Sequence, residues 1–252
     1  MPRAESREPR PAKDAAPAGA PPPHGEAVER MFSAIAPRYD LLNRLLSAGR
    51  DRAWRREAIR ATALPPGGRL LDVCAGTGDM ALEAARRHPA CRVVAVDFSR
   101  AMLALAEAKI ARAGLEGRIR LEQASAEALP LPAESFDAAC MAFGLRNLAD
   151  RRQGLREMHR VLHPGARAVV LEFATPPSPA LRAVYLWYFH RVLPRIGRLV
   201  SGHPTAYSYL PASVREFPGP AGLAAWMREA GFREVTWKSM TGGIVAIHVG
   251  VK

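Results

Sequence analysis

The amino-acid sequence predicts an α/β fold with a mostly parallel, seven-stranded sheet. From residue 69 onwards, apolar strand-like runs alternate with helical runs, which is typical of a doubly wound parallel sheet. The last two strand-like runs, VTWKSM and IVAIHVGVK, are separated only by Thr241-Gly242-Gly243. A connection this short cannot form a parallel crossover, so it predicts a hairpin and one antiparallel strand. The earlier strands are predicted at 69–74, 92–97, 118–123, 136–143 and 167–173.

The chain divides by composition into a tail and one domain. Residues 1–27 are rich in proline and alanine with mixed charge, which predicts a disordered tail. Residues 28–252 are predicted to form the domain, and its first part, 28–64, reads as a helical cap. Within that cap, Pro37 is expected to break the first helix from the second.

The net charge and the number of cysteines limit the kinds of partner and cellular compartment that fit this protein. The formal net charge is +12, from 36 basic and 24 acidic residues. An anionic partner such as RNA or a membrane surface is one explanation, and an Arg-rich genome composition is the other. Three cysteines predict buried free thiols in a reducing cytoplasm, rather than a disulfide or metal site. No apolar run reaches the ~18 residues of a membrane span.

A glycine-rich turn follows the first strand. Gly76-Thr77-Gly78-Asp79-Met80-Ala81 fits the G-x-G-x-x-G/A pattern, and Asp97 follows Gly78 by 19 residues at the end of the second strand. Both features serve dinucleotides and S-adenosyl-L-methionine (SAM), because the ribose of either ligand needs a carboxylate. A tight turn without a ligand is the plainer alternative.

The acidic residues around this turn favour SAM over a dinucleotide. Asp79 opens the following helix, where a pyrophosphate would otherwise rest on free N–H groups. Asp72 in the preceding strand adds negative charge, which attracts the ammonium and sulfonium groups of SAM. Asp79 as a plain helix cap is compatible with either ligand. Ser125 and Ala126, after the third strand, are expected beside the adenine, with an ordinary turn as the alternative.

The stretch FGLRN, residues 143–147, carries a specific resemblance. Together with MFSAIAPRYDLLNRLLS, LLDVCAGTGD, VDFSRAMLALA and TGGIVAIHVG, it resembles the ubiquinone/menaquinone biosynthesis C-methyltransferase family from Val28 to Lys252. The resemblance implies a Rossmann-like class I SAM-dependent methyltransferase that acts on demethylmenaquinol or 2-polyprenyl-6-methoxy-1,4-benzoquinol. It also implies SAM contacts at the glycine loop with Gly76 and Thr77, and at Asp97, Ser125 and Ala126. Ala142 departs from the family, whose members often carry Ser there.

Methyl transfer to a ring carbon requires a polarised phenol and a covered ring. We expect Arg146 to stabilise the phenolate or polarise a water, while its reading as the base stays open; Asn147 would orient the same oxygen. Tyr39 and Asp40 are expected to close over the ring, although helix packing explains them equally well. His190 is the titratable candidate, with a satisfied core histidine as the alternative.

The segment 180–218 lies where small-molecule methyltransferases insert a substrate cover. Within it, residues 181–200 carry an aromatic and aliphatic face beside Arg191, Arg195 and Arg198, which is expected to receive the isoprenoid tail and touch the membrane surface, with core packing as the alternative. The predicted location is therefore cytoplasmic, peripheral to the inner face of the membrane. The predicted partner is a polyprenylated quinol rather than nucleic acid, and a homodimer is a further expectation. RNA methylation remains the competing function.

Overall fold

The computed structural model describes residues 26–192 and 206–252. Its centre is a seven-stranded sheet in the order β3-β2-β1-β4-β5-β7-β6. Strands β1 to β5 pair with one another in parallel. The strand bounds are β1 Arg69–Val73, β2 Arg92–Asp97, β3 Ile119–Gln123, β4 Phe136–Ala142, β5 Leu162–Phe173, β6 Arg233–Met240 and β7 Val245–Val251.

The predicted antiparallel strand is confirmed as β7. It runs antiparallel to β5 on one side and to β6 on the other. The turn Thr241–Gly243 joins β6 to β7, and Gly242 takes a φ of 65° that L side chains rarely adopt. The hairpin thus inserts its second strand beside β5, and β6 becomes the edge of the sheet.

Helices cover both faces of the sheet. One buried apolar cluster packs α2, α3 and α4 against one face, and a second packs α5 and α8 against the other. Both faces are therefore dry, as the apolar strands of a parallel sheet require. The helix bounds are α1 Glu26–Leu46, α2 Asp51–Ala61, α3 Asp79–Arg87, α4 Arg100–Arg112, α5 Arg151–Val161, α6 Pro179–Trp187, α7 Ala206–Glu216 and α8 Pro220–Glu229.

The first helix corrects one prediction. The expected break at Pro37 is wrong, because α1 is continuous from Glu26 to Leu46. A proline removes one helical hydrogen bond, but packing on both sides of it can hold the helix together. Ile35 and Leu42, before and after the proline, pack into a small cluster with Tyr185 of α6 and Val214 of α7.

The helix after β5 continues past its regular end. Beyond α6, residues Tyr188–Val192 form a π-helical turn. Arg195, Arg198 and the predicted tail up to residue 25 lie outside the described residues, and the backbone of His190 is described while its side chain is not. Among the helices of residues 26–192 and 206–252, none combines the length and apolarity needed to cross a membrane.

Candidate functional site

The glycine turn lies at the carboxyl end of β1, as predicted. Cys74, Gly76 and Gly78 all have positive φ, of 56°, 55° and 80°. These angles reverse the chain between β1 and α3, which begins at Asp79. A Cβ at Gly78 would lie 3.1 Å from the Cβ of Ala106 on α4, so glycine also permits close helix packing there.

Asp97 faces this turn from the end of β2. Its Oδ2 accepts a hydrogen bond from the Gly76 N–H at 2.8 Å, and its Oδ1 accepts one from the Ser99 N–H at 2.8 Å. The side chain is buried. A carboxylate has about four lone-pair sites, so two such bonds fix its orientation without exhausting its capacity. The residue is thus held rigidly where a ribose-binding acid is expected.

A cleft of about 460 Å³, including space open to solvent, lies between the glycine turn and the FGLRN segment. Its walls are largely apolar and aromatic, as in most small-molecule sites. Among the described lining residues, Asp97 is the acidic one and none is basic, so the cleft suits a ligand that carries positive charge and no phosphate. The lining residues are Phe32, Tyr39, Cys74, Gly76, Asp97, Phe98, Met102, Ala142, Phe143, Gly144, Asn147 and Leu148.

The structure changes the argument made from Asp79. This carboxylate does not line the cleft; it is paired with Lys109 of α4 and lies 3.9 Å from Arg55 Nε. Burial raises its pKa, but Arg55 and Lys109 outweigh burial, so the pKa lies below its ordinary value. The N-cap position itself is Gly78. Asp79 therefore neutralises two cations instead of attracting a ligand.

Asp72 contributes less negative charge than expected. It is almost fully buried, and its Oδ2 accepts a hydrogen bond from the Ala81 N–H at 3.0 Å. Burial raises the pKa of Asp72 to about 7, against the opposing effect of Arg55. Asp72 thus ties β1 to the first turn of α3. The preference for SAM rests on Asp97 and the absence of basic groups from the described cleft walls.

The remaining predicted cofactor contacts lie around the cleft rather than in its wall. Thr77 is buried, and its hydroxyl donates to Asp40 Oδ1 at 2.6 Å. Ser125 and Ala126 follow β3, the strand next to β2, and neither lines the cleft. Ser125 is exposed, with its Oγ accepting from the Glu127 N–H at 3.2 Å, whereas Ala126 is packed in the core. Their contact with an adenine stays a prediction.

Asn147 and Arg146 occupy different places at the end of β4. Asn147 lines the cleft and donates from Nδ2 to the Phe143 carbonyl at 3.2 Å. Arg146 is buried behind the wall, where its Nη1 donates to Glu172 Oε1 at 2.8 Å and its guanidinium lies over the Phe173 ring. The expected direct approach of Arg146 to the ring is therefore not what this geometry shows. Its Nε has no hydrogen-bond partner within the described part of the chain.

The helical cap reaches the cleft through α1. Tyr39 lines it and meets Phe32 edge to face, with the ring centroids 6.0 Å apart. Asp40 faces away from the cleft, towards Thr77 and Lys109. Of the two residues expected to close over the ring, Tyr39 lies in the cleft wall. Asp40 instead fixes α1 to Thr77 and Lys109.

The sequence of this chain is similar to a known protein family and to named relatives within it. Residues 23–252 match the ubiE/COQ5 methyltransferase family. The Geobacter sulfurreducens protein named ubiquinone/menaquinone biosynthesis C-methyltransferase UbiE is 52% identical over 90% of this chain and 89% of its own length. The Thermus thermophilus demethylmenaquinone methyltransferase is 52% identical over 87% of this chain and 99% of its own.

The chain belongs to the ubiE/COQ5 methyltransferase family. It is a methyltransferase, and SAM is its methyl donor. A SAM-dependent methyltransferase from Aquifex aeolicus superimposes with a TM-score of 0.61 at 18% identity, covering 84% of this chain and 96% of its own. A possible histamine N-methyltransferase from Thermotoga maritima gives 0.61 at 19% identity, covering 88% and 99%. These structures confirm the Rossmann-like class I fold.

Sequence reasoning missed several residues that shape the site of this methyltransferase. Phe98 lines the cleft from the turn between β2 and α4, Met102 lines it from the first turn of α4, and Cys74 lines it from the glycine turn. Nothing in their spacing distinguished them from core residues. Glu172 and Lys109 act from behind the walls, and each looked like an ordinary strand or helix residue. Glu172 could have been noticed from the sequence, because it is an acidic residue inside the otherwise apolar run AVVLEF.

Proposed function

We propose that this methyltransferase transfers a methyl group from SAM to a ring carbon of a polyprenylated quinol in respiratory quinone biosynthesis. The acceptor is demethylmenaquinol, and the benzoquinol of ubiquinone synthesis is a second acceptor of the same class. The observation that carries the proposal is the cleft, which lies between the Asp97 carboxylate and the FGLRN segment. The names of the Geobacter and Thermus relatives support the acceptor.

The residues present fit SAM. Gly76 has open space where a Cβ would stand, so a ligand can approach the turn closely. Asp97 would hold the ribose hydroxyls, and the turn from Gly76 to Gly78 would hold the amino-acid end. The aromatic and sulfur-bearing walls formed by Phe98 and Met102 would flank the nucleoside. Ser125 and Ala126 would extend this surface towards the adenine.

The chemistry is a displacement at a methyl carbon. Bound SAM supplies an electrophilic methyl group on a sulfonium sulfur. A ring carbon takes this methyl group and loses its hydrogen as a proton, and the sulfur keeps the electron pair of the broken bond. Cationic donor and anionic ring neutralise each other, so a dry, aligned site favours the step. The apolar wall around Phe143 supplies that dryness.

The FGLRN segment provides the groups that face the quinol. Asn147 lines the cleft and would orient the ring oxygen, while Tyr39 covers the ring from α1. Arg146 lies behind them, fixed by Glu172, and its positive charge would stabilise a phenolate oxygen from that position. An Arg guanidinium stays protonated, which favours a stabilising role over that of a base.

The exposed apolar face of α1 and α6 is the surface that would meet the isoprenoid tail of the substrate and the membrane. Leu41 and Leu45 of α1 and Val184 and Trp187 of α6 are exposed, and the two helices pack together through Tyr185. We assign residues 28–64 as the helical cap and 180–218 as the substrate cover that receives the isoprenoid tail. This face would contact the inner surface of the cytoplasmic membrane peripherally. A homodimer stays a prediction.

The test follows the methyl group. Methyl-labelled SAM is incubated in parallel with reduced demethylmenaquinol, a reduced polyprenyl benzoquinol, the oxidised quinones and bulk RNA. We expect label in the quinols and none in the oxidised quinones, which lack the hydroxyl that activates the ring. The Lys238→Met variant, at an exposed position on β6, serves as a control with unchanged turnover. Label in RNA alone would overturn the proposal.

A further inference from the structure

The cofactor turn and the covering helix share one anchor. Asp40 of α1 accepts a hydrogen bond from the Thr77 hydroxyl at 2.6 Å and another from Lys109 Nζ at 2.9 Å. Lys109 Nζ also donates to Thr77 Oγ1 at 3.1 Å and to Asp79 Oδ1. We call these four residues the α1 latch. It joins three elements that are distant in sequence: α1, the glycine turn with the start of α3, and α4.

The latch lies in a partly dry environment. The side chains of Lys109, Asp40 and Asp79 are 21%, 30% and 29% exposed, and Thr77 is buried. Charged hydrogen bonds shielded from water to this degree hold geometry better than exposed ion pairs do. Lys109 is the centre of the latch, since its ammonium contacts each of the other three residues.

The position of α1 decides whether the cleft is covered. Phe32 and Tyr39 of this helix form part of the cleft wall, and Tyr39 directly precedes Asp40. α1 also contacts the N-cap of α4, where the hydroxyls of Ser33 and Ser99 lie 3.3 Å apart. A displacement of the glycine turn therefore moves Thr77 against Asp40, and a displacement of α1 moves Tyr39 out of the cleft wall.

We propose that Lys109 is a positioning residue that couples closure of α1 to the seating of SAM on the glycine turn. It touches neither the expected cofactor position nor the acceptor. It holds the loop through Thr77 and Asp79, and it holds the lid through Asp40. The proposal rests on the proposed cofactor site, and it goes beyond that site by giving the helical cap a SAM-dependent position.

Two measurements test the coupling without any acceptor. Calorimetry gives the Kd for SAM, and amide hydrogen exchange follows peptides from residues 30–46 with and without SAM. In the wild type, SAM should slow exchange in α1. Lys109→Met should raise the SAM Kd about tenfold, the scale of one charged hydrogen bond, and abolish the slowing. Lys109→Arg should restore both in large part, and Asp40→Asn should abolish the slowing.

The control and the kinetics separate positioning from general destabilisation. Lys238→Met removes a comparable ammonium, 2.8 Å from Glu57, and should leave SAM affinity and α1 exchange unchanged. In the full assay, Lys109→Met should raise the KM for SAM and also lower kcat at saturating SAM, because α1 no longer holds Tyr39 in the cleft wall, and Lys109→Arg should restore both in large part. Should Lys109→Met be poorly folded, Lys109→Arg and Asp40→Asn report on the same coupling.

The outcomes that overturn the proposal are distinct. Wild-type protein that binds SAM while α1 exchange stays the same refutes the latch alone. A folded Lys109→Met variant that binds SAM with wild-type affinity would also refute the latch alone. A wild-type chain that binds no SAM would refute the proposed cofactor site and the latch together.

Discussion

Replacing Glu172 by Gln should destabilise this methyltransferase more than any surface charge change. Glu172 is 1% exposed, and its partner Arg146 is 6% exposed. The carboxylate accepts from Arg146 Nη1 at 2.8 Å, from the Arg146 N–H at 3.3 Å and from the Phe173 N–H at 2.9 Å. Gln keeps the shape and one acceptor, but it removes the charge that compensates the buried guanidinium.

The expected loss follows from that uncompensated charge. Breaking a buried ion pair by removing one partner costs about 3–5 kcal/mol of the free energy of unfolding. At about 2–4 °C per kcal/mol for a domain of this size, the melting temperature should fall by roughly 6–20 °C. Removing both charges, in Arg146→Met with Glu172→Gln, should cost less than the sum of the single changes, because no unpaired charge is left.

Urea unfolding followed by circular dichroism measures these free energies. The matched control is Glu229→Gln, which removes an ion pair with Arg152 of the same 2.8 Å length at side chains that are 50–55% exposed. That change should cost at most about 1 kcal/mol. A loss below about 1 kcal/mol for Glu172→Gln, or strict additivity with Arg146→Met, would refute the reasoning.

Three further predictions concern the cleft and its support. Asp97→Ala should weaken SAM binding by ~1.5–3 kcal/mol, the scale of charged hydrogen bonds, and unchanged calorimetric affinity would contradict its role. Gly144→Ala would place a Cβ 2.4 Å from the Cys74 Cβ, so the FGLRN turn must shift; turnover should fall and stability should drop by about 1–3 kcal/mol. Gly117→Ala, which has open space, is its control, and equal effects would contradict the steric argument. Burial raises the folded-state pKa of Asp72 to about 7 from 3.8, so its contribution to stability is full below pH 4 and declines as pH rises through 7. Relative to the wild type, Asp72→Asn should therefore gain about 3 kcal/mol between pH 5 and pH 8 in urea unfolding, and a pH-independent difference would exclude this assignment.

Much of the fold could be read from the sequence because strands and helices leave periodic patterns. The strand RVVAVD was placed at its observed bounds, and Thr241-Gly242-Gly243 predicted the antiparallel hairpin from chain length alone. The glycine turn and Asp97 were paired correctly, since the carboxyl ends of neighbouring parallel strands meet at one edge. Each of these inferences depends on local geometry.

The errors concern contacts that local pattern does not record. Asp79 was expected to attract a ligand, but Arg55 and Lys109, from two other helices, neutralise it. The partner of Arg146 was also missed: Glu172, 26 residues further on, holds it behind the cleft wall, while the role of Arg146 towards the ring stays a prediction. Charge pairing across a fold depends on how the helices pack against one another. The periodic pattern of apolar residues in the sequence does not record that packing. The predicted helix break at Pro37 was wrong for the same reason, because tertiary packing overrides a local helix breaker.

The packing of α1 has a consequence for how the protein is made. Ile35 and Leu42 are translated well before Tyr185 and Val214, which complete their cluster. At about 5–20 residues per second, the roughly 150 residues between Ile35 and Tyr185 take on the order of 10–30 s to appear. During that interval the sheet strands from β1 to β5 are available to pair, while the first helix has no apolar partner from α6 or α7. The strands that form the base of the cleft are therefore synthesised before α6 and α7, which complete the packing of α1. An incomplete chain is expected to expose α1 to chaperones or proteases.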